Sequence, residues 1–282
     1  MSEEEVVIKR QPFETRIHEI DFIRGILILL VVMDHIFNFT MNFSSGWAGA
    51  EHLQPYYALN QAMHFYWDHP VRMVVRWICL ISFCFISGIS CAFSKSNSKR
   101  ALQMVGIWAL LFIVTNIIRG VLIANNISTD VTAFRIDFNV IGVLGWSTLL
   151  YCFFEQKNWK WLLVVGLIGL AIHPLCQYLS TTTFGENTYV PFLWRPYVGD
   201  KVEGSRALLQ ADHMPLFPYL GFFFLGAMVS KLTYAKDKKS YFKRYEWERP
   251  ICFIGRHTLI IYGTHILVIF GVLSLIGVFI KR

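Results

Sequence analysis

Apolar stretches of about twenty residues recur along most of this chain, each long enough to cross a lipid bilayer. Backbone that enters lipid must satisfy its own hydrogen bonds, and continuous apolar runs of this length do so as α-helices. The stretches cover residues 21–43, 73–94, 101–124, 138–154, 160–179, 213–232 and 251–279. They predict an all-α, polytopic transmembrane bundle of about seven spans. Hydrophobic residues make up 55% of the chain and charged residues 16%, against roughly a quarter charged in soluble domains, so a soluble class is excluded. Residues 1–20 read as a charged cytoplasmic tail, and residues 21–282 as a single transmembrane domain.

The net charge of +7 raises nucleic acid as a partner, but the basic residues flank spans instead of forming one patch. That placement is a topology signal. With the N-terminus cytoplasmic, the inner segments hold Lys9, Arg10, Arg16, Lys95, Lys99, Arg100, Lys157, Lys160 and the cluster at 231–249. The longest outer loop, 180–212, has only Arg195, Lys201 and Arg206. The partner is therefore the bilayer and not nucleic acid. All six cysteines lie in or beside apolar stretches with no metal spacing, which predicts packing roles and no metal. The first apolar run lacks a small-residue cleavage site and reads as an uncleaved signal-anchor.

That first run also carries chemistry. Arg24 and His35 lie eleven residues apart, close to three helical turns, so they share a face. Asp21, Asn38 and Asn42 fall near the same line, with Asp34 at its edge. A polar stripe in a membrane helix is costly and must face protein or water. Arg24 alone also reads as a snorkelling anchor, and with Asp21 as an ion pair. His35 lies roughly 16 Å along the helix from Arg24, near the bilayer centre.

Other segments add ionisable groups. The first outer loop, about 44–72, interleaves aromatics with His52, His64, Asp68 and His69. That mixture fits the rim of a site, and its aromatics alone fit a headgroup-level belt. In span two, Ser82, Ser87, Gly88 and Ser90 permit close helix contact. Asn126-Ile127-Ser128 is a formal glycosylation sequon. Asp212-His213-Met214-Pro215 leads into a span that Pro215 and Pro218 break or kink. In the last span Thr258, Tyr262 and His265 follow i, i+4, i+7 spacing, with His257 on a neighbouring stripe.

These groups suit group transfer across a membrane. A histidine in a cavity of low dielectric can take a proton from an amine or hydroxyl, with a carboxylate such as Asp34 or Asp68 orienting it. Arginines at the inner ends of spans can bind a phosphate-bearing donor bidentately. The other reading is a transporter or channel moving a small anion or proton-coupled solute along the same stripe. The lack of an inverted repeat weighs against it.

The segment Arg16-Ile17-His18-Glu19-Ile20-Asp21-Phe22-Ile23-Arg24-Gly25, followed by the apolar run to Asp34-His35, resembles the opening of the heparan-α-glucosaminide N-acetyltransferase catalytic-domain family. That family belongs to a wider group of transmembrane acyltransferases. Four later segments match in order: Phe83-Cys84-Phe85-Ile86-Ser87-Gly88, Asn139-Val140-Ile141-Gly142, Pro215-Leu216-Phe217-Pro218-Tyr219-Leu220-Gly221 and Gly255-Arg256-His257-Thr258-Leu259-Ile260-Ile261-Tyr262. The resemblance implies acetyl transfer from cytosolic acetyl-CoA to an amine or hydroxyl of a sugar-type acceptor across the membrane. His69, with His64 as a substitute, is the nearest match to a histidine that the family carries before its second span. His35 matches a polar position that is asparagine in the animal enzymes.

His35 or His69 is then the base or transient acyl acceptor, supported by Asp34 or Asp68. Arg24, Arg256 and His257 fall on the acetyl-CoA side, and His64, His213, Tyr262 and His265 on the acceptor path. Small bacterial-type members resemble this chain in length, which implies a bacterial plasma membrane. A homodimer is left open.

Overall fold

The computed structural model describes residues 17–48, 54–94, 96–124, 136, 138–182, 214–234, 240–243 and 245–280. His213, the Asn126-Ile127-Ser128 sequon and most of the 180–212 loop lie outside the described residues. The helices, in chain order, are α1 (His18–Ala48), α2 (Gln54–Asp68), α3 (Pro70–Ile89), α4 (Asn97–Ala124), α5 (Val140–Cys152), α6 (Trp159–Thr182), α7 (Tyr219–Leu232), α8 (Arg249–Arg256) and α9 (Thr258–Ile280). Short 3-10 turns follow α3 at Ser90–Phe93 and precede α8 at Glu246–Glu248. No strand occurs among the described residues, so the all-α reading holds. Pro70–Phe93, Asn97–Ile118, Trp159–Cys176 and Thr258–Phe279 are long and apolar enough to cross a membrane. Val140–Cys152 and Tyr219–Leu232 are shorter apolar helices.

Three boundaries differ from the sequence reading, each for a local reason. The segment between the first two apolar stretches contains α2, in which polar and aromatic residues alternate too finely to read as a span. The last apolar stretch is not one helix. Gly255 is a poor helix former, and His257 leaves helical geometry at φ −101°, ψ 16°. Thr258 Oγ1 then donates to the Gly255 carbonyl at 2.6 Å, closing α8 before α9 starts. Further back, α7 starts at Tyr219 and not at 213, because Pro215 and Pro218 lack the N–H that a helix interior needs.

The chain forms two compact units, Met1–Phe83 with Lys238–Arg282, and Cys84–Asp237. In the second, helices approach through small residues, which is how helices associate in lipid. A Cβ on Gly88 would strike the Phe223 carbonyl and lie 2.9 Å from the Ala227 nitrogen, so the end of α3 rests directly on α7. A Cβ on Gly169 would lie 2.9 Å from the Cα of Gly221, setting α6 against α7 in the same way. Helix α5 is mostly buried, with Trp146 exposed, and Asn139 caps it by accepting the Gly142 N–H at 3.1 Å. Ser230 Oγ donates to the Ile89 carbonyl at 2.8 Å. All six cysteines are free thiols.

The first unit is built on α1. Gly25 of α1 and Gly255 of α8 face each other where the two helices cross; a Cβ on Gly255 would lie 2.9 Å from the Gly25 nitrogen. Helix α2 packs on α1, Asn60 donating to the Met41 carbonyl at 2.9 Å. Helix α9 runs beside α1 through a buried row of Tyr262, His265, Ile269 and Leu273, at the spacing of one helix face.

Candidate active site

The first turn of α1 binds the chain that returns to it. Glu19 and Asp21 sit where the helix dipole favours anions. Asp21 Oδ2 accepts from Arg256 Nε at 3.0 Å, both side chains being largely buried. Glu19 accepts the Tyr241 N–H at 2.9 Å and the Ser240 hydroxyl. His18 lies between two carboxylates, with Nδ1 3.3 Å from Glu19 and Nε2 3.7 Å from Glu248. The opening motif therefore holds the start of α1 to the segment before α8. Arg24 is half-buried, one turn beyond Asp21. His257 stands at the α8–α9 turn, its ring 4.4 Å from Phe253 centre to centre and its Nδ1 2.9 Å from the Phe253 carbonyl.

Fifteen residues along α1 from Glu19 lies Asp34, gripped by Arg72. Nε lies 2.7 Å from Oδ1 and Nη2 3.0 Å from Oδ2, the fork geometry in which guanidinium and carboxylate are best matched. Tyr66 donates to the same Oδ1 at 3.1 Å. Arg72 also donates to the Trp67 carbonyl at 3.3 Å and lies 3.3 Å above the Trp67 ring. Asp34 thus ties α1 to the α2–α3 junction, and its oxygens are taken up there and not by His35.

His35 points instead toward α9. Its ring meets that of His265 edge to face, with centroids 4.8 Å apart. His35 Nδ1 lies 2.8 Å from the Val31 carbonyl, and His265 Nδ1 lies 2.7 Å from the Tyr262 carbonyl. A carbonyl oxygen only accepts, so both Nδ1 atoms carry hydrogen. In a neutral imidazole that leaves the lone pair on Nε2. The Tyr262 ring completes the cluster, 5.4 Å from His265.

His69 is held the other way round. It precedes α3, and its Nδ1 accepts the Val71 N–H at 3.2 Å, so its neutral form carries the proton on Nε2. Its ring lies 5.6 Å from Phe65. His64 and Asp68 are exposed on α2. The structure thus brings His35, Tyr262 and His265 together and places His69 in a capping role at the α2–α3 junction.

The family described as "Heparan-alpha-glucosaminide N-acetyltransferase, catalytic" matches residues 16–267 of this chain. The chain belongs to that family. No curated protein and no solved structure matches it. Membership in the heparan-alpha-glucosaminide N-acetyltransferase family makes the chain an integral membrane acyltransferase. The family match runs from just before His18 to just past His265, so it takes in both histidines of the pair and all of the helices between them.

Within this acetyltransferase frame, sequence reasoning missed Arg72, the bond from Tyr66 to Asp34, and the Glu19–His18–Glu248 chain. Arg72 carried a signal. A carboxylate as deep as Asp34 needs a cation beside it, and Arg72 stands just before the second apolar stretch.

Proposed function

We propose that the chain transfers an acetyl group from cytosolic acetyl-CoA to an amine or hydroxyl of a sugar-type acceptor on the opposite side of the membrane. The N-terminus is cytoplasmic, and residues 21–282 act as one transmembrane domain in a bacterial plasma membrane. The observation that carries this reading is the pairing of His35 with His265, two imidazoles whose neutral forms hold their lone pairs on Nε2. In the reaction Nε2 of His35 takes the proton of the acceptor N–H or O–H as that atom attacks the thioester carbonyl. The carbon–sulfur bond breaks, and the CoA thiolate leaves with the proton returned by the imidazolium. His265 holds the partner edge of the pair, its own orientation fixed by the Tyr262 carbonyl.

Asp34 supports His35 indirectly, by fixing α1 through Arg72. Arg24, Arg256 and His257 form the donor side, where CoA phosphates bind, with Arg256 oriented through Nε by Asp21. Tyr262, His64, His213 and His265 belong to the acceptor path, and Asp68 stands beside His69 as its supporting carboxylate. His69 caps α3 and stands second to His35 as the base.

The test is release of CoA from radiolabelled acetyl-CoA by the purified full-length protein in nanodiscs, with glucosamine as probe acceptor. His35→Ala and His265→Ala are expected to lower the rate by about a hundredfold or more, the usual weight of a positioned base. Rates equal to wild type in both variants exclude the pair.

A further inference from the structure

Residues 241–253, outside the spans and the histidine pair, present an exposed aromatic surface. Tyr241, Phe242, Tyr245, Trp247 and Phe253 are each more than half exposed. Exposure here does not come from a loose loop. The Tyr241 N–H is bound by Glu19, Glu248 is held by His18, and the inner edge of Trp247 packs on Phe22 with ring centroids 5.5 Å apart. A fixed surface with this much bare aromatic area marks a contact site. Lys243 and Arg249 are exposed among the rings, Arg249 bonding Glu246 at 2.7 Å. Between residues 231 and 249 the sequence holds seven Lys or Arg against three Asp or Glu.

We propose that this segment is a docking surface for anionic phospholipid headgroups of the leaflet into which α9 inserts. Aromatic rings settle at the headgroup level, and juxtamembrane basic residues bind anionic lipid. A zwitterionic surface would take the rings and leave the positive charge uncompensated. A second copy is the poorer occupant, because a two-fold contact would set this basic patch against itself. Headgroup binding here pulls on the Glu19 and His18 contacts, and so bears on the first turn of α1.

The test uses the full-length protein in nanodiscs of phosphatidylcholine with and without phosphatidylglycerol. Retained lipid is counted by native mass spectrometry, and dimer formation by lysine cross-linking. Wild type is expected to retain phosphatidylglycerol over phosphatidylcholine, with each exposed charge weighing about fivefold. Lys243→Gln with Arg249→Gln should remove most of that preference. Phe242→Ser, at a ring that is 69% exposed, should weaken retention of both lipids. An unchanged preference in the double variant overturns the proposal. Lipid-independent dimers cross-linked through Lys243 also overturn it, in favour of a second copy.

Discussion

Arg72 holds Asp34 with two nitrogens, at 2.7 and 3.0 Å, one residue before His35 on α1. Removing one partner strands the other charge in a largely buried position. Asp34→Asn or Arg72→Met is expected to cost about 3 kcal/mol, read as a lower melting temperature of the purified protein. The double variant should be more stable than the sum of the singles predicts, since neither charge is left alone. Additive losses would mean that the two side chains do not act as a pair.

Tyr66 shares that carboxylate. Its phenol is pushed up to about 12, from an ordinary value of 10.0, first by burial and then by the nearby Asp34 charge. A hydroxyl whose pKa is raised on folding gives stability that is full below the unfolded value and lost as pH climbs through the folded one. The protein should therefore lose stability between about pH 10 and 12, and Tyr66→Phe should flatten that part of the curve. Equal slopes in wild type and variant would show that Tyr66 ionises freely.

Two glycines set how close α1 and α8 come. An alanine at Gly25 would press its methyl on the Ile251 carbonyl, and one at Gly255 on the Asp21 carbonyl; both neighbours are backbone. Either substitution is expected to destabilise by about 2 kcal/mol or more, as overpacking does. Gly263 on α9 has nothing within 4 Å of a built Cβ, so Gly263→Ala should change stability by less than about 1 kcal/mol. Thermal unfolding of the three variants side by side distinguishes a tight crossing from a general intolerance of alanine.

The two histidine roles separate by substitution. Asparagine can cap a helix and cannot act as a base, so His69→Asn should keep both activity and stability. His69→Ala should cost about 1 kcal/mol of stability through the lost cap. His35→Asn should stay folded and lose turnover. The reverse pattern, activity lost in His69→Asn and kept in His35→Asn, would move the base to the α2–α3 junction.

Sequence alone revealed the class of fold because long apolar runs leave few solutions in lipid. It revealed less of the boundaries. Helix α2 stayed hidden because it mixes Tyr57, Gln61, His64 and Asp68 on its exposed face with Met63, Tyr66 and Trp67 packed inward. The α8–α9 break stayed hidden because an apolar window averages across Gly255 and His257. Each histidine of the pair was visible on its own polar stripe. Their meeting was not, because nothing in a linear pattern says which stripes face each other. Arg72 escaped because a span edge drawn one residue later leaves it in the loop.

His35 and His265 are far apart in the sequence, and that has a consequence for biogenesis. During synthesis α1 is made well before α9 and cannot pair with it until the intervening helices have followed. A product that ends before α9 therefore holds only one imidazole of the pair. On the proposed mechanism, the docking of α9 on α1 is then the event that arms the protein.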